Sequence, residues 1–229
     1  MPGNCWLRTC HYKLRIGTVE NVPESLPTLL LEATAMARMA AAEAPRPFLW
    51  TREQYYRLAE LGYFRSQRVM LIAGEIFTMS PQNEPHARSI SLTAQATEAA
   101  FGPGFYARVQ MPLDIGQASG PEPDVAVVVG SPRTNTTRPA SAVLVVEVAD
   151  SSLAFDTGEK GSLYAAADIA DYWVIDLPHR RLWLFRGPHP DPTGPFGARY
   201  THHLILSPTE TVAPLEAPTR SITVGELLP

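Results

Sequence analysis

Cysteine is scarce in this sequence, and its placement limits what it can do. The 229 residues include two cysteines, Cys5 and Cys10, both close to the beginning. Two thiols cannot form the disulfide framework of a small secreted domain, which favours a cytoplasmic protein. A structural zinc site would need further ligands, and the sequence has no second cysteine pair to supply them. Uncommitted thiols are therefore the favoured interpretation.

Long apolar runs are also missing. No segment approaches the roughly 18 apolar residues that a transmembrane helix needs. The Ala- and Met-rich segment 29–44 is interrupted by Glu32, Arg38 and Glu43. The first residues do not combine a basic region with an apolar stretch and a cleavage site, so no secretion signal is expected. We therefore predict a cytoplasmic protein without membrane contact.

A surplus of positive charge is absent, because the formal net charge is −4. A protein that coats nucleic acid would present a basic face, so this class is disfavoured. An enzyme whose acidic groups hold a cation against a phosphate is still compatible with this charge. Lysine is rare: of the 19 basic residues, Lys13 and Lys160 are the two lysines and the others are arginines.

The beginning of the chain differs from the rest. Residues 1–45 contain several prolines and no strand pattern, and Met36 and Met39 are alternative starts. We predict a poorly ordered N-terminal extension over residues 1–45. Residues 46–229 are expected to form one domain with a Pro-rich C-terminal tail that begins near Ser207.

The hydrophobic pattern after residue 50 predicts an α/β fold. Thr51 is a good N-cap for a helix over 52–61, and Gly74 separates two strands of a hairpin over 69–79. A second helix is expected over 85–100, and a third from Asp156 to about 167. Strands are expected over 105–109, 112–115, 125–129, 143–148, 172–175, 182–185 and 200–206. This order predicts a mixed β-sheet flanked by helices.

Two acidic residues belong to segments that should be buried. Asp124 directly precedes the apolar run 125–129, and Glu147 lies near the end of the apolar run 143–148. A buried charge is costly unless a cation or hydrogen bonds compensate it. Two carboxylates at the ends of neighbouring strands form the oxygen-rich pocket that Mg²⁺ prefers. A further carboxylate, Glu122, is an alternative to Asp124.

Lys160 is expected to reach this pocket. Asp156 is the predicted N-cap of a helix, with Glu159 as its capping-box partner, which places Lys160 in the first turns. Because arginine supplies nearly all other basic positions, a lysine here suggests a need for a compact, deprotonatable ammonium group. Such a group could stabilise a pentacovalent phosphate, or orient and help deprotonate the attacking water.

Several short motifs follow one another in a specific order. They are the hairpin from Leu71 to Glu75, His86, Pro123-Asp124, Glu147-Val148, Lys160 with Tyr164, and Tyr-Trp-Val-Ile-Asp over 172–176. In this order they resemble the PD-(D/E)xK nuclease superfamily and, more closely, the bacterial endonuclease family called Uma-two. The resemblance covers about residues 46 to 206.

The resemblance implies a restriction-endonuclease-like fold with a metal-dependent site. Asp124, Glu147 and the backbone carbonyl of Val148 would hold Mg²⁺ or Mn²⁺, and Lys160 would support the attack. One departure is Ala149, which stands two residues after Glu147 where the superfamily usually has lysine. The resemblance implies that Lys160, on the helix, takes its place. The family usually has Ser-Pro after the Glu-Val pair, whereas this chain has Asp150 nearby, with no assigned role.

Three further residues have both a functional and a structural interpretation. Glu75 follows Gly74 and is either another ligand of metal or water, or a solvated turn residue. His86 is either a phosphate contact or a surface or capping residue of its helix. Tyr164 lies one turn beyond Lys160 on the same helix face, where packing is the simpler role.

The sequence therefore predicts a Mg²⁺-dependent endonuclease that hydrolyses phosphodiester bonds of DNA. Cutting both strands of a duplex would call for a homodimer, since one site serves one strand. One alternative is a catalytically inactive nucleic-acid-binding or regulatory module of the same fold. Another is a metal-dependent hydrolase of small phosphoesters.

Overall fold

The computed structural model describes residues 45–229, and residues 48–229 form one compact unit. Cys5, Cys10, Lys13, the alternative starts and nearly all of the predicted extension lie outside the described residues. No helix among the described residues is long and apolar enough to span a membrane.

A six-stranded sheet forms the centre of the unit. Its strands are β3 (Phe105–Val109), β4 (Val125–Val129), β5 (Leu144–Ala149), β6 (Asp171–Asp176), β7 (Arg181–Pro190) and β8 (Ala198–Leu206), in that spatial order. β5 and β6 are parallel, and the other neighbours are antiparallel. The predicted mixed sheet flanked by helices is confirmed.

The central strands are buried on both faces, which explains their continuous apolar runs. Side chains of β4 and β5 alternate between two hydrophobic clusters, since successive residues of a strand point to opposite faces. Val125 and Val146 belong to one cluster, whereas Ala126 and Val145 belong to the other. This alternation determines which face receives the acidic residues of these strands.

The first described helix and hairpin lie before the sheet in sequence. Helix α1 (Arg52–Glu60) begins with the predicted Thr51 cap, which forms a full capping box with Gln54. Strands β1 (Val69–Ile72) and β2 (Glu75–Thr78) pair in the predicted hairpin. Its turn residues Ala73 and Gly74 have φ of 50° and 83°, as a two-residue hairpin turn of type I′ requires. Helix α2 (Glu84–Phe101) follows, capped by Asn83.

The parallel connection from β5 to β6 is a helical segment in three parts. It consists of α3 (Leu153–Phe155), a π-helical turn (Asp156–Lys160) and α4 (Gly161–Ala166). The prediction that Asp156 caps the start of this helix was wrong. The segment begins three residues earlier, after Ser152, and Asp156 is a buried residue within it.

The predicted strand over 112–115 is also absent from the sheet. Leu113 and Ile115 are buried, but Ile115 makes an isolated bridge to Ser119 instead of joining a ladder. The alternation of apolar and polar residues over 112–115 therefore reflects the burial of Leu113 and Ile115, without pairing to a strand of the sheet.

The Pro-rich C-terminal segment is folded against the sheet. It forms β9 (Thr211–Val212), β10 (Ile222–Thr223) and a 3₁₀ helix (Val224–Leu227). Val212, Ile222 and Leu227 belong to the same hydrophobic cluster as Val146 and Trp173. Part of the predicted tail is therefore core.

Candidate active site

A cavity of about 520 Å³ lies beside the ends of β4 and β5. Its walls come from the β1–β2 hairpin, the loop before α2, and the helical segment after β5. Asp124, Glu147, Val148 and Lys160 all line it, and so does His86. Residues far apart in the chain thus meet at one cavity, as the sequence predicted.

The strand register explains why the two acids face the same cavity. Val125 is paired with Val146, so the next pair along the two strands is Asp124 with Glu147. Alternation along the strands directs both side chains to the face that carries Ala126 and Val145. The strand register and the alternation of side chains together place the carboxylates of Asp124 and Glu147 side by side on one face of the sheet.

Glu147 is the most deeply buried acid of the cavity, with 1% of the residue exposed. The Tyr164 hydroxyl donates a hydrogen bond of 2.7 Å to Oε1, and Lys160 Nζ lies 3.0 Å from Oε2. Burial raises the pKa of Glu147 to about 8, against the effect of Lys160 and with the help of Asp156 and Asp124. Glu147 therefore takes up a proton readily when no additional cation is present.

Lys160 supplies the ammonium group of the cavity. Its Nζ lies 3.1 Å from Asp156 Oδ1 as well as 3.0 Å from Glu147 Oε2. Burial would lower its pKa, but the charges of Glu147, Asp156 and Asp124 outweigh burial and raise it. The carboxylates around Lys160 therefore favour its charged form.

Asp124 is held by neutral and ionisable donors. The Val148 backbone N–H donates to Oδ2 at 2.9 Å, and Gln110 Nε2 donates to Oδ1 at 3.1 Å. His86 Nε2 lies 3.4 Å from Oδ2. Burial opposes ionisation, but the His86 interaction and the Val148 hydrogen bond lower the pKa of Asp124. Asp124 is therefore a carboxylate at neutral pH.

His86 bridges the two strands from the start of α2. The Asn83 side chain caps the His86 backbone N–H, which fixes the position of the residue. Nε2 donates to the Val148 carbonyl oxygen at 2.8 Å. Burial would lower the pKa of His86, but the nearby Asp124 raises it. His86 thus contacts both Asp124 and the backbone carbonyl that the sequence proposed as a metal ligand.

Of the other acidic residues considered from the sequence, Glu122 and Asp150 line the cavity and Glu75 does not. Glu75 is exposed at the start of β2 and is not among the residues that line the cavity. Glu122 lines it and lies 3.4 Å from Arg68. Asp150 accepts a hydrogen bond of 2.7 Å from Asn83 at the cavity wall.

Asp156 was not expected at the site, since the sequence suggested a capping role. It binds Lys160 and accepts a short hydrogen bond of 2.5 Å from Ser152. The sequence feature that could have placed Asp156 at the site is the spacing of four residues from Asp156 to Lys160 and from Lys160 to Tyr164. In a regular α-helix of 3.6 residues per turn this spacing drifts round the axis. The wider π-helical turn counteracts that drift, so Lys160 and Tyr164 both reach Glu147.

The donor set is compatible with a hard divalent cation. Two carboxylates and one carbonyl match the few protein ligands that Mg²⁺ takes, with waters completing its shell. Tyr164 and Lys160 use part of the accepting capacity of Glu147, and each carboxylate oxygen has a further lone pair. Over residues 45–229, no three His, Cys, Asp or Glu side chains form a ready-made metal cage. An ion here would rely on water and substrate oxygens.

The comparisons with known proteins agree with this fold. A family described as Uma2, putative restriction endonuclease, matches residues 52–225. A solved structure described as a putative nuclease of DUF820 from Anabaena variabilis ATCC 29413 aligns with a TM-score of 0.55 and 15% identity, over 77% of this chain and 96% of that one. At that identity the solved structure shows the likeness of fold alone. No curated protein matches the chain. Because the family match covers well over half of the sequence, the chain belongs to the Uma2 family of restriction-endonuclease-like proteins.

Proposed function

We propose that this protein is a Mg²⁺- or Mn²⁺-dependent endonuclease that hydrolyses phosphodiester bonds of DNA. Asp124, Glu147 and the Val148 carbonyl would hold the ion. When bound, such an ion lowers the pKa of a water and polarises the phosphate. Lys160 is the cation of this site, and its ammonium group would bind a phosphate oxygen as negative charge develops there.

One observation supports this proposal above the others. Glu147 and Asp156 lie 3.0 and 3.1 Å from a single ammonium, Lys160, and the charge of Asp124 in the same cavity also acts on it. When Glu147 is ionised, the negative charge of the three acids exceeds the positive charge of Lys160. Since burying an uncompensated charge is costly, the arrangement favours a further cation from solution.

The contacts of Lys160 with two carboxylates favour one of its two candidate roles. A general base must release its proton near neutral pH, and the surrounding carboxylates oppose that release. A permanent cation can stabilise the transition state directly. We therefore assign Lys160 to charge stabilisation and not to proton abstraction.

Tyr164 and His86 would orient the metal ligands. Tyr164 holds one oxygen of Glu147, and His86 contacts Asp124 and the Val148 carbonyl. Partners of this kind fix the direction of a ligand and are commonly important for metal affinity. For a duplex substrate, cleavage of both strands would require two copies of the site, so a homodimer belongs to the proposal for that case.

The experiment is a DNA cleavage assay in Mg²⁺ and in Mn²⁺. The parent protein should cut, and Glu147→Gln and Lys160→Ala should not, because each loses one charge of the cluster. Asp176→Asn is a control, since Asp176 is a buried acid that does not line the cavity. Binding of DNA without cleavage in both ions would instead support an inactive binding module. Cleavage of a nucleotide-like ester without cleavage of DNA would support a hydrolase of small phosphoesters.

A further inference from the structure

Apolar side chains line the same cavity as the acidic cluster. Phe77 of β2 and Phe155 of α3 both line the cavity, with ring centroids 5.8 Å apart and planes at 42°. Met70 and Met79 line it beside them. Both phenylalanines are half-buried, so they keep accessible surface. These side chains also pack against the hydrophobic core, and the surface that they leave in the cavity could contact an apolar part of a substrate.

The aromatic pair lies close to the charged groups. Lys160 Nζ is 5.9 Å from the centre of the Phe155 ring and 3.0 Å from Glu147 Oε2. A nucleotide carries its flat base and its phosphate on one sugar, so a base against these rings would leave a neighbouring phosphate near Lys160. Aromatic rings are the usual platform for unpaired bases, because every base has a π-face.

The charge of the cavity opposes a duplex that lies across it. Arg68 and Lys160 line the cavity, together with His86 beside Asp124. Six acidic side chains share that wall, namely Glu122, Asp124, Glu147, Asp150, Asp156 and Glu159. A duplex brings two phosphate backbones, and the second would meet these acids without a matching cation. A single strand needs to place only one phosphate at a time.

A polar group at the rim is suited to a base edge. Gln82 lines the cavity and is exposed, and its amide makes no hydrogen bond to another part of the chain that the structure describes. A glutamine amide can donate to and accept from the edge of a base. In a paired base that edge is occupied or recessed in a groove, whereas an unpaired base presents it freely.

We propose that the cavity binds one unpaired nucleotide of a single-stranded segment, with its base against Phe77 and Phe155 and its phosphate near Lys160. This inference rests on the proposed function for the identity of the ligand as DNA. It narrows the substrate from duplex to unpaired strand, for which one copy of the site is sufficient.

The test measures equilibrium binding of a short single-stranded oligonucleotide that carries 2-aminopurine, in Ca²⁺, with a blunt duplex of the same sequence as comparison. We expect the base fluorescence to be quenched on binding. Phe77→Leu and Phe155→Leu keep apolar volume but lose the ring, and each should weaken binding about fivefold or more. The duplex should bind about tenfold more weakly than the single strand.

Phe105→Leu is the matched control. Phe105 and Phe101 also form a half-buried aromatic pair, with centroids 5.1 Å apart, but neither lines this cavity. Its substitution should leave binding unchanged. The inference is overturned if the cavity variants bind like the parent, if the control loses as much, if the duplex binds equally well, or if no binding is measurable.

A cleavage assay with the same molecules separates this inference from the proposed function. If the duplex is cut and the two phenylalanine variants cut it normally, the nuclease proposal stands and the base site does not. If the quenched complex forms but no metal ion supports cleavage, the base site stands and the nuclease proposal does not.

Discussion

Two neighbouring strands carry buried acids with very different surroundings. Asp171 and Asp176, at the two ends of β6, are at most 1% exposed, as is Glu147 on β5. Asp171 receives hydrogen bonds from Arg186, from the Trp173 indole and from the Leu215 backbone N–H. Asp171 thus has its own ion pair with Arg186, and its carboxylate oxygens also accept hydrogen bonds from Trp173 and Leu215.

The acids of the cavity are held differently, by one shared lysine, by His86 and by neutral donors. Glu147 and Asp156 both lie against Lys160, and Glu147 also accepts from Tyr164, whereas Asp124 lies beside His86. Burial is therefore not what distinguishes a functional acid in this fold. The distinguishing feature is negative charge that the chain itself does not balance, next to open space.

The largest expected difference between the two regions is in catalysis. Asp124→Asn and Glu147→Gln should each lower the cleavage rate on the order of 10³-fold or more, because each removes a ligand charge. Asp171→Asn and Asp176→Asn should stay within a few-fold of the parent. Single-turnover cleavage in Mn²⁺ measures this, and equal losses in both regions would remove the distinction.

For the free energy of unfolding, we expect substitutions of the β6 acids to cost more than substitution of Glu147. Asp171→Asn leaves the Arg186 guanidinium beside a neutral amide and should lower the free energy of unfolding by about 3 kcal/mol. Glu147→Gln removes a carboxyl group whose pKa is raised by burial, so it should not lower the free energy of unfolding at neutral pH and should raise it as the pH increases. Urea unfolding without metal compares the two variants. A larger cost for Glu147→Gln would indicate a structural role for Glu147.

Added metal should stabilise the parent through the cavity alone. At ten times its dissociation constant, Mg²⁺ should raise the free energy of unfolding by about 1.4 kcal/mol, because it binds the folded state. The rise should persist in Asp176→Asn and disappear in Asp124→Asn. Thermal unfolding with and without Mg²⁺ measures it, with Ca²⁺ as a second ion. Stabilisation that survives in Asp124→Asn would place the ion elsewhere.

The two regions should also respond to pH with opposite signs. Burial raises the pKa of Glu147 from 4.5 to about 8, so the folded protein retains a proton that the unfolded chain releases. Without metal, rising pH between these values should destabilise the parent relative to Glu147→Gln.

Asp176 supplies the contrast. Burial opposes ionisation, but hydrogen bonds from His179 and Arg181 lower the pKa of Asp176 below 3.8. The stabilisation that ionised Asp176 gives to the folded protein should be complete above pH 3.8, and it should be lost as the pH falls below that value. Unfolding curves of the parent and both variants from pH 3 to 8, in one buffer series, measure the two signs. Parallel curves for the parent and Glu147→Gln would contradict the raised pKa.

Much of this arrangement could be predicted from sequence because local rules determine it. Thr51 and Gln54 form a capping box, and the buried runs of β4 and β5 are continuous and apolar. With one strand register, these runs place Asp124 opposite Glu147. Lys160 stood out through the rarity of lysine.

Other features depend on tertiary contacts that a local pattern does not contain. Asp156 has the composition of a helix cap, but it turns inward to Lys160 because a π-helical turn lies there. Leu113 and Ile115 alternate like a strand, yet their hydrogen bonds go to a loop. The cavity wall of Phe77 and Phe155 joins two elements nearly eighty residues apart, and no local spacing links them.

The most direct test of the central claim is anomalous diffraction from a crystal soaked in Mn²⁺. We expect one ion between Asp124 and Glu147, with the Val148 carbonyl among its ligands and Lys160 displaced toward Asp156 or the solvent side. Strong density for Mn²⁺ at another site, or a cavity without the ion at millimolar Mn²⁺, would contradict it.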